Sequence, residues 1–238
     1  MNPKTIRSLN QINADFYAAI AADFDETRGT PWPGWDGVLP FCAEVATVLD
    51  AGCGNGRFGL FLADKLDRPL KYHGLDFSPA LLEVAKAALD TDSRLSVRLT
   101  DRDMIEDGFV PGAYDLVGAF GLLHHIPGRE YRRLFMRQLA GLVAPGGTLA
   151  VAFWRFLDSD RLRSRLQPWP DDLGTEVEAN DYLLDWRRGA HAVRYCHYHD
   201  DAEIDTLVVA TGLRQVARYR SDGQDNTLNT YVILTRDR

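Results

Sequence analysis

Residues 48–59, VLDAGCGNGRFG, set Gly52, Gly54 and Gly56 at alternate positions directly behind an apolar run. The run ATVLDAG reads as a buried strand. Glycine supplies the tight turning and close backbone approach that side chains forbid. The pattern predicts a strand, a glycine turn whose N–H groups can meet a ligand, and a helix beginning in NGRFGLFLADKL. Apolar runs recur at 71–76, 95–101, 114–120 and 148–154, and helical segments alternate with them. Near-continuous apolar strands are buried on both faces, so the sheet is expected to be parallel. SPALLEVAKAAL has Ser78 as N-cap and Pro79 at the first helical position. REYRRLFMRQLAGLV is a helix stopped by APGG. DAEIDTLVVATGL is a helix with Asp200 as N-cap, Glu203 completing a capping box and Gly212 at its end. RQVARYR and LNTYVILTR then form an antiparallel hairpin across SDGQDN. The expected fold is α/β: a doubly wound, mostly parallel seven-stranded sheet of Rossmann-like form, with an antiparallel C-terminal hairpin.

A chain of 238 residues suits one such domain, 1–238, with room for an insertion. Its expected parts are an N-terminal helix and lid loop (1–46), a ligand-binding core (47–154), an insertion or lid (155–189) and C-terminal strands and helix (190–238). Residues 155–189 break the strand–helix rhythm, are rich in arginine and acids, and are long for a connection. No apolar run is long enough for a membrane span, and the N-terminus lacks a signal-peptide core, so a cytoplasmic protein is expected. A net charge of −7 argues against coating DNA or another nucleic acid through a basic surface. Cys42, Cys53 and Cys196 have neither paired nor metal spacing. Cys196, His197 and His199 lie too close in sequence to share a tetrahedral ion, and no metal is expected.

Asp50 precedes the glycines and Asp76 ends the second strand, where ribose hydroxyls are held in such folds. The order D-x-G-x-G-x-G resembles the first motif of the class I S-adenosylmethionine (SAM) methyltransferases. The resemblance covers about Thr47 to Trp154 and implies SAM as cofactor. It implies that Asp50, Gly52, Cys53, Gly54 and Gly56 meet the methionine part and ribose, and that Asp76 takes both ribose hydroxyls. Phe77 covers the adenine edge. Asp103, or else Asp101, holds the adenine amine, with Met104 beside it. Phe120 and the double histidine, His124 and His125, border the transferable methyl. Trp154 ends its strand where a substrate lies.

The remaining segments narrow the resemblance. FYAAIAADFDETRGTPWP, LLHHI, AFW, DYLLDW and VRYCHYHDDAEIDTL occur in the order seen in the tRNA wobble-uridine methyltransferases, which esterify carboxymethyluridine. A tRNA substrate follows as the favoured partner, with a small-molecule carboxylate or hydroxyl acceptor as the alternative. A non-catalytic SAM-binding subunit is the alternative from another class. Eukaryotic relatives work with a small zinc-binding activator protein, a further partner that the resemblance raises. A carboxylate has a pKa near 4 and needs orientation, not a base. Arg28, Arg194, Tyr195 and His197 are the expected orienting groups, and His125 is the one base candidate. Arg28 instead clamps the SAM carboxylate in a second reading, with Tyr17 beside it. TRGTPWPGW, residues 27–35, is rigid and aromatic. It is expected to be a lid in which Trp32 touches ligand and Trp35 belongs to the core.

Overall fold

The computed structural model describes residues 1–26, 29–170, 173, 176–188 and 190–238. The chain runs through α1 (Pro3–Glu26), a 3-10 segment (Pro33–Phe41), β1 (Thr47–Ala51), α2 (Arg57–Leu66), β2 (Leu70–Asp76), α3 (Pro79–Leu89), β3 (Leu95–Asp101) and β4 (Tyr114–Phe120). It continues with α4 (Arg129–Gly141), β5 (Val143–Trp154), α5 (Asp160–Arg163), β6 (Leu166–Gln167), β7 (Asp181–Arg188), β8 (Ala190–His197), α6 (Asp201–Thr211), β9 (Arg214–Ser221) and β10 (Asn229–Thr235).

Seven strands form one sheet in the order β3-β2-β1-β4-β5-β10-β9. β1 to β5 are parallel, and β10 runs antiparallel to both β5 and β9. This is the doubly wound sheet with its antiparallel C-terminal hairpin that the strand pattern predicts. β2 and β4 leave β1 on opposite sides, so a crevice opens at the carboxyl ends of these strands. Successive residues feed two cores. Leu49, Val117 and Val151 face α4 and α6, packing with Phe135, Leu139 and Ile204. Val48, Leu116 and Ala150 face the other way, toward Phe58, Leu62 and Leu89 of α2 and α3.

Two elements differ from the sequence reading. The first helix starts ten residues before Asn13, at Pro3. Asn2 Oδ1 accepts the Thr5 N–H at 2.9 Å, and a proline at the first position suits a helix start. Ile6, Leu9, Phe16 and Ile20 then continue one buried stripe. The segment 155–189 is the second difference, since it contains α5, β6 and β7. β7 pairs with β8 in a three-stranded antiparallel sheet, β6-β7-β8. The boundary expected at 189/190 falls inside that hairpin. Only DYLLDW carries the apolar signal of β7, and charged residues on both sides hide it.

The Asp200 cap forms, with its side chain accepting the Glu203 N–H at 2.8 Å. Glu203 does not return to complete the capping box. Its carboxylate turns inward to Arg132, whose side chain is 1% exposed. Arg132 Nε reaches Glu203 at 2.8 Å and Nη2 reaches Glu178 at 2.7 Å. This arginine ties α4 to α6 and to the segment leading into β7. Removing one partner of a buried ion pair leaves charge uncompensated. Arg132→Ala should therefore lower the unfolding free energy by about 3 kcal/mol, measured by urea denaturation.

Candidate active site

The three glycines of the turn are left-handed, with φ of 73°, 54° and 78° at Gly52, Gly54 and Gly56. Side chains rarely adopt this backbone. The turn lies against two buried acids, Asp50 and Asp76, and one of its N–H groups, that of Gly54, meets Asp76. The Gly54 N–H donates to Asp76 Oδ2 at 2.9 Å, and the Ser78 N–H donates to Oδ1 at 3.0 Å. The Tyr72 hydroxyl donates to Asp50 Oδ2 at 2.6 Å. Burial pushes the Asp50 carboxyl up to about 7, against the pull of the Tyr72 hydrogen bond. Burial also raises the Asp76 pKa, although the backbone N–H groups at its oxygens oppose the shift.

Above these acids lies an open pocket. Phe77, Met104, Phe120 and Cys53 line it together with Asp50 and Asp76. Tyr17 and His125 close one side. The Tyr17 hydroxyl meets His125 Nε2 at 2.9 Å, and His125 Nδ1 meets the Tyr195 carbonyl at 3.0 Å. A carbonyl only accepts, so Nδ1 carries the proton. In the neutral ring Nε2 then accepts from Tyr17. His125 thus holds Tyr17 in place, with the unprotonated Nε2 turned to the Tyr17 hydroxyl at the wall of the pocket.

A second chamber, of about 350 Å³, adjoins the first. Tyr17, Trp32, Arg57 and Gly121 border both spaces. Trp154, Trp186, Arg161, Arg165 and Arg194 line the chamber further out. The Arg194 guanidinium lies 4.7 Å from the Trp154 ring centre and 5.2 Å from that of Phe16. It is 8% exposed, and among the described residues no carboxylate pairs with it. A buried cation held only by aromatic faces is electrostatically incomplete.

Several expected site residues lie elsewhere. Alternate residues of β8 point to opposite faces, so Arg194 reaches the chamber while Tyr195 and His197 do not. The Tyr195 hydroxyl donates to Asp181 at 2.7 Å, and His197 bridges Asp181 at 2.6 Å and Glu203 at 2.7 Å. These carboxylates raise the His197 pKa, although burial opposes the shift. His197, His199 and Glu203 do come within metal-ligand reach of one another, but carboxylates occupy both His197 nitrogens. Asp103 is also turned from the cavity. Its oxygens take the Asn10 amide at 2.7 Å and the Ile105 and Glu106 N–H groups of its own turn, as an aspartate following a strand readily does. Gly56 stands behind the loop, where a Cβ would come 2.8 Å from Leu89. Arg28 lies outside the described residues.

The sequence reading missed Arg57 and gave Trp35 to the core alone. Trp35 is buried, yet it also lines the pocket above Asp50 and Asp76. Arg57 sits 5.7 Å and 5.6 Å from the Trp32 and Trp35 ring centres. Its position immediately after Gly56, at the start of α2, was the available signal.

A family model described as a methyltransferase domain matches residues 49–149. A putative methyltransferase of Encephalitozoon cuniculi is 30% identical over 201 residues, covering 84% of this chain and 85% of that protein. The tRNA (carboxymethyluridine(34)-5-O)-methyltransferase of Arabidopsis thaliana is 27% identical, over 71% of this chain and 37% of that protein. A chloroplastic tocopherol O-methyltransferase of the same plant is 26% identical, over 60% of this chain and 40% of that protein. In fold, the chain is similar to a SAM-dependent methyltransferase from Clostridium acetobutylicum. The TM-score is 0.68 at 14% identity, with 93% of this chain and 99% of that chain covered.

The raised Asp50 pKa makes a prediction for the protein without ligand. The stabilising contribution of protonated Asp50 is complete below the unfolded value near 3.8 and disappears as pH rises through about 7. Asp50→Asn should remove this slope. In urea unfolding the variant should therefore gain on the native protein as pH rises across that window.

Proposed function

The chain belongs to the class I SAM-dependent methyltransferases, and on that premise we propose that its methyl acceptor is a carboxylate on a modified tRNA uridine. Bound SAM supplies an electrophilic methyl group on a sulfonium. The two buried acids and the glycine turn border the pocket in which the ribose and methionine part of SAM would lie. In this reading Asp76 takes the ribose hydroxyls, and its prearranged N–H bonds hold its oxygens ready for them. Gly52, Cys53 and Gly54 bring backbone close to the cofactor, and Phe77 and Met104 border the adenine. Arg57 takes the methionine carboxylate, a role the sequence alone gave to Arg28.

The observation that carries the acceptor proposal is Arg194. A buried guanidinium without a carboxylate partner recognises an anion, and its planar fork matches a carboxylate. Trp154, already stacked on that guanidinium, offers a flat wall for the ring that bears the acid. A carboxylate is ionised at neutral pH, so it asks no base of His125. The new O–CH3 bond forms as the C–S bond breaks in line, and the sulfur keeps the electron pair. The rate gain comes chiefly from holding the two centres together. The Arabidopsis tRNA enzyme supports the uridine. The tocopherol enzyme and the three chamber tryptophans favour the second reading, a small-molecule acceptor with an apolar ring.

Tritiated SAM incubated with bulk tRNA and, separately, with a metabolite extract distinguishes the two. Label should enter tRNA and leave as methanol in mild base. Label confined to metabolites, or base-stable label, would refute the carboxyl-tRNA reading. Arg194→Met should lower kcat/KM for the acceptor about a hundredfold, from loss of a charged hydrogen-bonding partner, with SAM affinity unchanged. Asp76→Ala should weaken SAM binding roughly thirtyfold by calorimetry.

A further inference from the structure

The turn between β9 and β10 takes no part in the chemistry above, yet it carries a buried carboxylate at the edge of the chamber. Asp222 is 5% exposed and holds a left-handed backbone, with φ of 69°. It accepts three hydrogen bonds. Oδ1 takes the Gly34 N–H at 2.8 Å, and Oδ2 takes Asn229 Nδ2 at 2.7 Å and the Tyr231 hydroxyl at 2.6 Å. Two of these donors belong to β10. The third belongs to the segment that follows Trp32.

Gly34 is gripped from both ends. While Asp222 takes its N–H, its carbonyl accepts from the Tyr219 hydroxyl at 2.7 Å. The Tyr219 and Tyr231 rings are stacked, with centres 5.1 Å apart and planes 1° from parallel. There is no room for a side chain, because a Cβ on Gly34 would fall 2.2 Å from the Tyr231 ring. Glycine is required here by close approach, and the aspartate is what the approach delivers.

Two residues earlier stands Trp32. Its ring stacks on Trp35 at 5.5 Å and meets the loop after β4, where a Cβ on Gly121 would lie 3.1 Å from it. Trp32 borders both the cofactor cavity and the acceptor chamber. On the sheet, Asn229 pairs with Trp154, the wall on the far side of the chamber. One carboxylate therefore joins the loop carrying the inner wall to the strand opposite the outer one.

We propose that Asp222 is a positioning residue for methyl transfer: through the Gly34 amide it fixes Trp32 at the junction of the two cavities and keeps the loop closed over the cofactor. This role is independent of which acceptor is used. It acts on cofactor release, because a loop freed from Asp222 carries one wall of the cofactor cavity away with it.

The test follows the dissociation of tritiated SAM from the full chain after a chase of unlabelled SAM. No acceptor is needed, so the outcome is separate from the tRNA reading. Asp222→Gly removes the carboxylate and suits the left-handed backbone. It should speed release about tenfold, the effect of losing one charged hydrogen bond. Asp222→Asn keeps shape and backbone and should fall between that variant and the native chain. Trp32→Ala should also speed release, and adding Asp222→Gly to it should change nothing further, since both act through the same wall. A merely structural aspartate would give effects that multiply in the double variant. That result, or an unchanged rate in Asp222→Gly, would overturn the proposal. Should Asp222→Gly fail to fold, an unchanged rate in Asp222→Asn would overturn it equally.

Discussion

Two buried charge distributions of opposite sign, one on each side of a thin wall, organise this molecule. Asp50 and Asp76 lie at the ends of neighbouring parallel strands, and burial raises the pKa of both. Across Tyr17, Trp32 and Gly121, Arg194 is buried against aromatic rings, with no acid beside it among the described residues. Neither arrangement is comfortable by itself, because isolated buried charge is costly. Each is the complement of one reactant in the proposed reaction: the ribose and methionine part of the cofactor at the acids and an anionic acceptor on the arginine. The fold therefore carries the electrostatics of methyl transfer as unmet demand before either partner arrives.

That demand depends on β8 being held rigidly. The strand lies outside the seven-stranded sheet and would be a poor support without its other face. Tyr195 and His197 point away from the chamber and anchor it through Asp181 and Glu203. The backbone of Tyr195 is fixed too: its N–H donates to Asn13 of α1 at 2.9 Å, and its carbonyl takes His125 Nδ1. One strand thus presents a cation on one side and a hydrogen-bonded network on the other. α1 is part of the same support, which explains why it is far longer than its aromatic stretch alone required.

The large-scale order was legible because it rests on periodicity. Buried strands alternating with capped helices leave few arrangements, and the glycine turn with its two acids marks where a ligand lies. Local chemistry was less legible. Arg194, Tyr195 and His197 looked equivalent as polar groups in one short segment, but the strand alternation that argued against a metal at Cys196, His197 and His199 also puts Arg194 on the face opposite Tyr195 and His197. Asp103 followed its strand as an adenine-binding acid would, yet an aspartate two residues before a free N–H caps its own turn. Asp222 carried no signal beyond a turn composition, since its importance comes from Gly34, 188 positions earlier in the chain.

The pattern of occupied groups bears on what the enzyme can discriminate. A hydroxyl or amine acceptor must lose a proton during transfer, and a base near the methyl would serve it. The histidine best placed for that, His125, instead spends Nδ1 on a backbone carbonyl and Nε2 on Tyr17. Freeing it would remove one of the links between β8 and α1, and so bear on the arginine that the same strand presents. Base catalysis and the Arg194 site thus compete for one support. A carboxylate removes the conflict: it arrives deprotonated, needs only the cation, and leaves the histidine to its structural bonds. In the proposed reaction, the support of β8 thus favours an acidic acceptor as much as the chamber wall does.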